Sequence, residues 1–310
     1  MTIHYATGTA ADIHDMLAEL SGFATGTLGW VQDEYSTSVG GDPDVTRLHL
    51  HDGGRHWSMQ TYIASSIHSF GAVASPTVEL YCCAGYDAAQ NFDAQPGTHT
   101  QRTAATQIDG TAMTWHAYGG SGAHGDYLHW VCEVRDARVA SIHLGALHPN
   151  WVGGTNGGHY AAAAAARRLT RVGMPFRSER HGYGDDHLRA DIDGAASPHY
   201  MDWDDGELRA YDADRTRDLG VSSVNAQTPL WPLYVVAERP DNHRSLLGVV
   251  PGIRECRLNL LSPGDELTLG SSPQEVWQVW PVLRRGDILR LDDTPGSEHT
   301  GWYGFAYRKS

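Results

Sequence analysis

Three histidines, His49, His51 and His56, are the residues whose type and spacing best suit chemistry in this chain. Histidines at i and i+2 of an extended strand point to one face, because successive strand side chains alternate. The stretch Asp52-Gly53-Gly54-Arg55 follows. A two-residue turn at Gly53-Gly54 sets His51 opposite His56, Leu50 opposite Trp57, His49 opposite Ser58 and Leu48 opposite Met59. One face of that hairpin carries the three imidazoles and the other carries Leu48, Leu50, Trp57 and Met59. Three imidazoles converging on one point suit a zinc-sized ion. The plainer reading is a solvated polar face, and on that reading no catalytic, cofactor-binding or metal-ligating residue is assigned.

Other constellations are weaker. His49-Leu50-His51-Asp52 distantly resembles the HxHxDH motif of metallo-β-lactamase-like hydrolases, but Asp52 directly follows the second histidine and no histidine follows the Asp. The alternation of helices that such an αββα fold implies is also missing from the pattern. A metal-dependent hydrolase built on His49, His51 and His56 is therefore the last of three readings. The acidic run from Asp185 to Asp218 lacks the EF-hand order of ligands and reads as a solvated loop. Neither GxSxG nor a cysteine in a protease context occurs, and Gly119-Gly120-Ser121-Gly122 reads as a flexible loop. Trp151 and Tyr160 would stack on sugar rings if exposed, which gives a carbohydrate- or receptor-binding alternative.

The elements that must position these residues belong to a turn-rich β protein. The chain has 310 residues with 35 Gly, 14 Pro, 14 Tyr and 10 Trp, long enough for one large domain or two ordinary ones. Its formal net charge of -14 argues against a nucleic-acid partner, which needs clustered cations to release counterions. Lys309 is the only lysine. Cys82, Cys83, Cys132 and Cys256 show no CxxC spacing and are expected as buried thiols made in a reducing cytosol. Met1-Thr2-Ile3-His4 opens no signal peptide, and no apolar run approaches the length of a membrane span.

A helix is predicted from Thr9 or Ala10 to Leu20, with Ile13, Met16, Leu17 and Leu20 on one face, Asp12 and Asp15 at its positive end and Gly22 as its stop. Strands are expected at 45–51, 56–63, 77–84, 111–118, 127–134 and 138–147, with a hairpin at Asp136-Ala137 and a loop over 87–97. A short helix is predicted over 161–169, then a polar excursion with two short strands over 170–225. Strand pattern returns at 230–237. Arg257 to Leu260 and Leu267 to Leu269 read as a hairpin about Ser262-Pro263-Gly264-Asp265, followed by a turn at Ser271-Ser272-Pro273, a strand at 276–280 and a closing strand at 301–307. The fold class is α+β, predominantly β. An N-terminal helix packs on an antiparallel sheet in 1–165, an acidic loop-rich excursion occupies 166–229, and a small β-barrel or sandwich-like module occupies 230–310.

Several of these segments carry a family resemblance. Thr9-Ala10-Ala11-Asp12-Ile13-His14-Asp15-Met16-Leu17 with Gly29-Trp30, the strands around Leu48-His49-Leu50, and Leu144-Gly145-Ala146-Leu147 leading into Gly153-Gly154-Thr155 and Gly157-Gly158-His159-Tyr160 resemble tailed-bacteriophage virion structural proteins. Pro251-Gly252-Ile253, Ser262-Pro263-Gly264-Asp265-Glu266, Trp277-Gln278-Val279-Trp280-Pro281 and the run from Gly301 to Lys309 look like the same group. The resemblance implies a non-enzymatic part of a tail, neck or baseplate, present in multiple symmetric copies. Its partners would be copies of itself and other virion proteins, with a host-surface receptor under the alternative reading. It would be made in the host cytoplasm and carried in the virion, with no cofactor.

Overall fold

The computed structural model describes residues 1–64, 75–98, 104–107, 112–122, 125–134, 138–148, 158–163, 165–168, 171–173, 187–192, 195–200, 208–210, 230–238, 244–258, 261–281 and 303–310. In chain order the elements begin with β1 (Thr2–Ala10), α1 (Ile13–Thr27), β2 (Val31–Thr37), β3 (Thr46–Asp52), β4 (Arg55–Ala64), β5 (Ser75–Cys83) and β6 (Ala104–Gln107). Next come β7 (Met113–Ser121), β8 (Tyr127–Val134), β9 (Arg138–Ala146), β10 (His159–Ala163), β11 (Ala165–Arg168), β12 (Arg171–Gly173), β13 (His187–Ile192), β14 (Ala195–Tyr200) and β15 (Leu208–Ala210). The chain closes with β16 (Trp231–Glu238), β17 (Arg244–Arg257), β18 (Glu266–Leu269), β19 (Glu275–Pro281) and β20 (Tyr303–Arg308). The protein is thus mostly β, with antiparallel sheets and one α-helix among the described residues.

Three large sheets account for most strands. One runs β1-β7-β8-β9-β10-β13-β14, a second β2-β3-β4-β5-β6, and a third β15-β16-β17-β20-β19-β18. Ile13, Met16, Leu17, Leu20 and Phe23 of α1 share one buried cluster with Leu48, Leu50, Trp57, Met59 and Leu80 of the five-stranded sheet. Met113, Trp115, Leu128, Trp130, Ile142 and Leu144 of the seven-stranded sheet complete it. Trp30 stacks on Trp57 with ring centres 4.5 Å apart, and Trp115 stacks on Trp130 at the same distance. Burying an aromatic ring of this size contributes about 2–3 kcal/mol, so these four indoles anchor the core.

The third sheet is tied to the first through polar groups inside the molecule. The Trp280 indole N–H donates to the Tyr118 hydroxyl at 2.7 Å, and that hydroxyl donates to Gln278 Oε1 at 2.6 Å. His148, just after β9, exchanges both backbone hydrogen bonds with Val249 of β17. All four cysteines are buried and none forms a disulfide. Among the described residues no helix is long and apolar enough to cross a membrane.

Several sequence expectations are corrected. Thr9 and Ala10 end β1, which pairs with β7 along its whole length, and the helix starts after Asp12. Asp12 Oδ1 accepts from the backbone N–H groups of His14 and Asp15, while Asp15 Oδ2 accepts from that of Ala11, each at 2.9 Å. This reciprocal cap satisfies helix-terminal donors and fixes the start. Gly22 does not stop the helix, which continues to Thr27 because Phe23 and Ala24 extend its buried face. The predicted helix over 161–169 is replaced by β10 and β11, Ala164 and Leu169 lying outside the described residues. Alanine favours helix, but His159–Ala163 is buried throughout and pairs with β9, and tertiary context overrides so weak a propensity.

Gly119, Gly120 and Ser121 are strand residues of β7, not loop. A side chain at Gly119 would run into Leu28 and Phe23, so the glycine lets the end of α1 approach the sheet. The turn at Ser262 exists, with Gly264 at φ +86° and the Asp265 N–H donating to Ser262 O at 3.1 Å, but it does not make a hairpin. β17 pairs with β16 and β20, whereas β18 lies at the far edge beside β19. The turn therefore carries the chain across two intervening strands. Within 166–229 the described residues form part of β11 and all of β12 to β15, of which β13 and β14 extend the seven-stranded sheet.

Candidate functional site

The histidine hairpin folds in the register its turn dictates. Leu48 faces Met59, His49 faces Ser58, Leu50 faces Trp57 and His51 faces His56 around Gly53, whose φ of +58° suits the turn. Leu48, Leu50, Trp57 and Met59 enter the core, which leaves the three imidazoles on the opposite face of the sheet. The Trp57 indole N–H donates to Tyr160 O at 2.9 Å and locks the hairpin against β10.

The neighbouring strand supplies a group that sequence spacing does not reveal. β2 pairs with β3 as Gln32 with Leu50 and Glu34 with His49, so Asp33 is the extra residue of a β-bulge. A bulge re-aims the side chain of its unpaired residue. Gln32 reaches back to α1, accepting from the Ser21 hydroxyl at 2.6 Å, and Asp33 turns toward the histidines. Asp33 Oδ2 lies 2.7 Å from His51 Nδ1, 3.8 Å from His49 Nε2 and 3.9 Å from His56 Nδ1. His49 Nε2 and His56 Nδ1 are themselves 3.2 Å apart. One donor atom from each of Asp33, His51 and His56 falls within 4.8 Å of the others.

The reading of a wholly solvated face is corrected at its centre. His49 is 1% exposed, covered by the ring of Tyr86 at 4.8 Å, whose hydroxyl donates to Glu34 Oε2 at 3.2 Å. Asp33, His51 and His56 are only partly exposed. Burial pushes the His49 imidazole down to about 4 against the opposing pull of the Asp33 carboxylate, and burial followed by the charge of His51 also lowers His56. At neutral pH these two rings are neutral, so their contacts with Asp33 are not ion pairs. Between His49 Nε2 and His56 Nδ1 one nitrogen carries the hydrogen and the other accepts it. His49 Nδ1 is buried and makes no hydrogen bond. The group can hold a cation or a proton.

A second histidine pair escapes the sequence reading, because a two-residue turn at Asp136-Ala137 would set His129 opposite Leu144 and put His143 on the other face. His129 and His143 sit opposite each other in the β8–β9 hairpin, both fully buried, with their Nδ1 atoms 3.2 Å apart. The carbonyl of Pro251 can only accept, so His129 donates Nε2–H to it at 2.7 Å and offers a bare Nδ1 to His143. His143 then donates Nδ1–H and accepts at Nε2 from the Ser141 hydroxyl at 3.0 Å. Burial lowers both pKa values, that of His129 to about 4.

The remaining candidates separate. Tyr160 is fully buried and has no face to offer a sugar ring, while Trp151 lies outside the described residues. Most of the acidic run from Asp185 to Asp218 lies outside them too, with Asp191 in β13. No protein-family model matches the chain, and no curated protein matches it.

Proposed function

We propose that this chain is a non-enzymatic structural component of a tailed-bacteriophage virion, assembling in multiple symmetric copies in the tail, the head–tail connection or the baseplate. The observation that carries the reading is where the resembling residues lie. Ile13, Met16, Leu17, Trp30, Leu48 and Leu50, drawn from three separate resembling segments, belong to one buried cluster. Segments separated in sequence thus belong to one packed unit. On this reading α1 packs on the antiparallel sheets, and the six-stranded sheet is the smaller barrel- or sandwich-like module.

Strand edges support an assembling protein. β2 is an edge strand with Val31 48% exposed. Among the described residues β15 pairs with β16 from Val235 to Ala237, and Trp231 of β16 is 39% exposed. Such edges accept a strand or side chain from a neighbouring copy, and rings close through heterologous contacts of this kind.

The test is location and copy number. Recombinant chain examined by light scattering and negative-stain microscopy should form rings or other closed oligomers, and antibody against it should decorate one level of intact particles. A monomer at high concentration, together with particles that contain none of the chain by mass spectrometry, would overturn the proposal.

A further inference from the structure

We propose that Asp33, His49, His51 and His56 form a binding site for one divalent transition-metal ion of the zinc class. The inference is independent of the virion reading and rests on local geometry. Asp33 Oδ2, His49 Nε2 and His56 Nδ1 form a triangle with sides of 3.8, 3.2 and 3.9 Å. Its centre lies about 2.1 Å from each corner, the distance at which zinc holds imidazole nitrogen and carboxylate oxygen. His51 Nδ1 stands beside the same carboxylate oxygen at 2.7 Å, and one donor atom each of Asp33, His51 and His56 falls within 4.8 Å of the others. His51 is therefore the ligand we assign to complete the set once an ion replaces its hydrogen bond to Asp33.

Two features set the cluster apart from a polar sheet face. Asp33 reaches it only because β2 is bulged at that residue, and bulges are enriched where a side chain must be re-aimed beside a site. His49 is buried to 1% exposure with Nδ1 making no hydrogen bond, while its Nε2 is aimed at the cluster. Burying an imidazole with half its hydrogen-bonding capacity unused is costly unless the other half is used well. Asp33, His51 and His56 have side chains 19%, 23% and 15% exposed, which leaves an entry path from solvent.

The donor set selects the ion. Three nitrogens and one oxygen suit zinc, cobalt, nickel or copper, whereas calcium and magnesium require predominantly oxygen ligands. The ligands come from β2, β3 and β4, so a bound ion pins the bulged edge strand to the hairpin. Its role is structural, and binding to the folded state raises stability by mass action.

The full chain, cleared of metal with a chelator and dialysed, is titrated with Co²⁺ while the visible spectrum is recorded, and its melting temperature is measured with Zn²⁺ and with chelator. One Co²⁺ per chain with intense tetrahedral bands, and a melting temperature that Zn²⁺ raises, is the expected result. His56→Gln and Asp33→Asn should abolish the bands with the far-ultraviolet circular dichroism unchanged, and Glu34→Gln should retain them. X-ray absorption of the wild-type zinc complex should show imidazole scattering and requires no variant. Absence of the bands with a melting temperature indifferent to Zn²⁺ overturns the proposal, as does a zinc spectrum without imidazole or a band retained in both ligand variants.

Discussion

Lowering the pH should unfold this protein through the His129–His143 pair. Its hydrogen-bond chain runs from Ser141 through His143 and His129 to Pro251 and is complete only when both rings are neutral. A proton added to His129 Nδ1 would set two N–H groups against each other at 3.2 Å. The folded pKa of His129, about 4, is depressed below the ordinary value of 6.5. The folded state therefore binds fewer protons than the unfolded state. The stabilisation is fully present above pH 6.5 and is lost as pH falls from there toward 4. The loss from His129 alone is about 2 kcal/mol at pH 5 and about 3 kcal/mol at pH 4. That is a large share of the roughly 5–15 kcal/mol that holds a domain folded.

Urea unfolding at pH 7.5, 6, 5 and 4 measures the effect, and His129→Gln isolates it. The Gln amide can still donate to Pro251 but does not titrate. The variant should lose about 1–3 kcal/mol at pH 7.5, yet the gap between it and the wild type should close as pH falls. Carboxylates titrate in both proteins and cancel in the difference. A gap that stays constant from pH 7.5 to 4 would refute the reasoning, because the buried imidazole would then contribute no proton linkage.

Other substitutions follow from the core and the turns. Trp57→Ala removes a fully buried indole, its stack on Trp30 and its hydrogen bond to Tyr160; urea unfolding should show a loss of about 3–5 kcal/mol. Asp12→Ala removes the acceptor for two N–H groups at the start of α1, and the same assay should register about 1 kcal/mol. Gly252 has φ +69° and its missing side chain leaves room for the Tyr127 ring, so Gly252→Ala should cost more than about 1 kcal/mol from overpacking and strain together. Gly53→Ala, at φ +58° with open space around it, isolates the backbone part and should cost about 1 kcal/mol.

Local patterns carried the β3–β4 hairpin. Alternation around Gly53-Gly54 places every pair of β3 and β4 correctly, because a two-residue turn leaves one register that buries Leu48, Leu50, Trp57 and Met59 together. The same logic fails for β8 and β9: a two-residue turn at Asp136-Ala137 would set His129 opposite Leu144, whereas the strands pair one place over and set it opposite His143. Asp33 was not legible, since a bulge breaks the alternation that assigns a residue to a face and leaves no compositional mark. The alanines after Tyr160 misled for the opposite reason: their local preference is clear, but burial between strands decides their state. The Ser262 turn was read correctly as a turn and wrongly as a hairpin, because turn chemistry does not specify which strand comes next in the sheet.

Tyr118 bears on how the molecule comes apart. One hydroxyl uses its donor on Gln278 and its acceptor on Trp280, so β7 and β19 cannot separate without stranding three polar groups at once. Amide protons of those two strands should therefore exchange with deuterium at a common rate set by a shared opening. The two sheets would then behave as one cooperative unit, and Tyr118→Phe should let the protons of β19 exchange first.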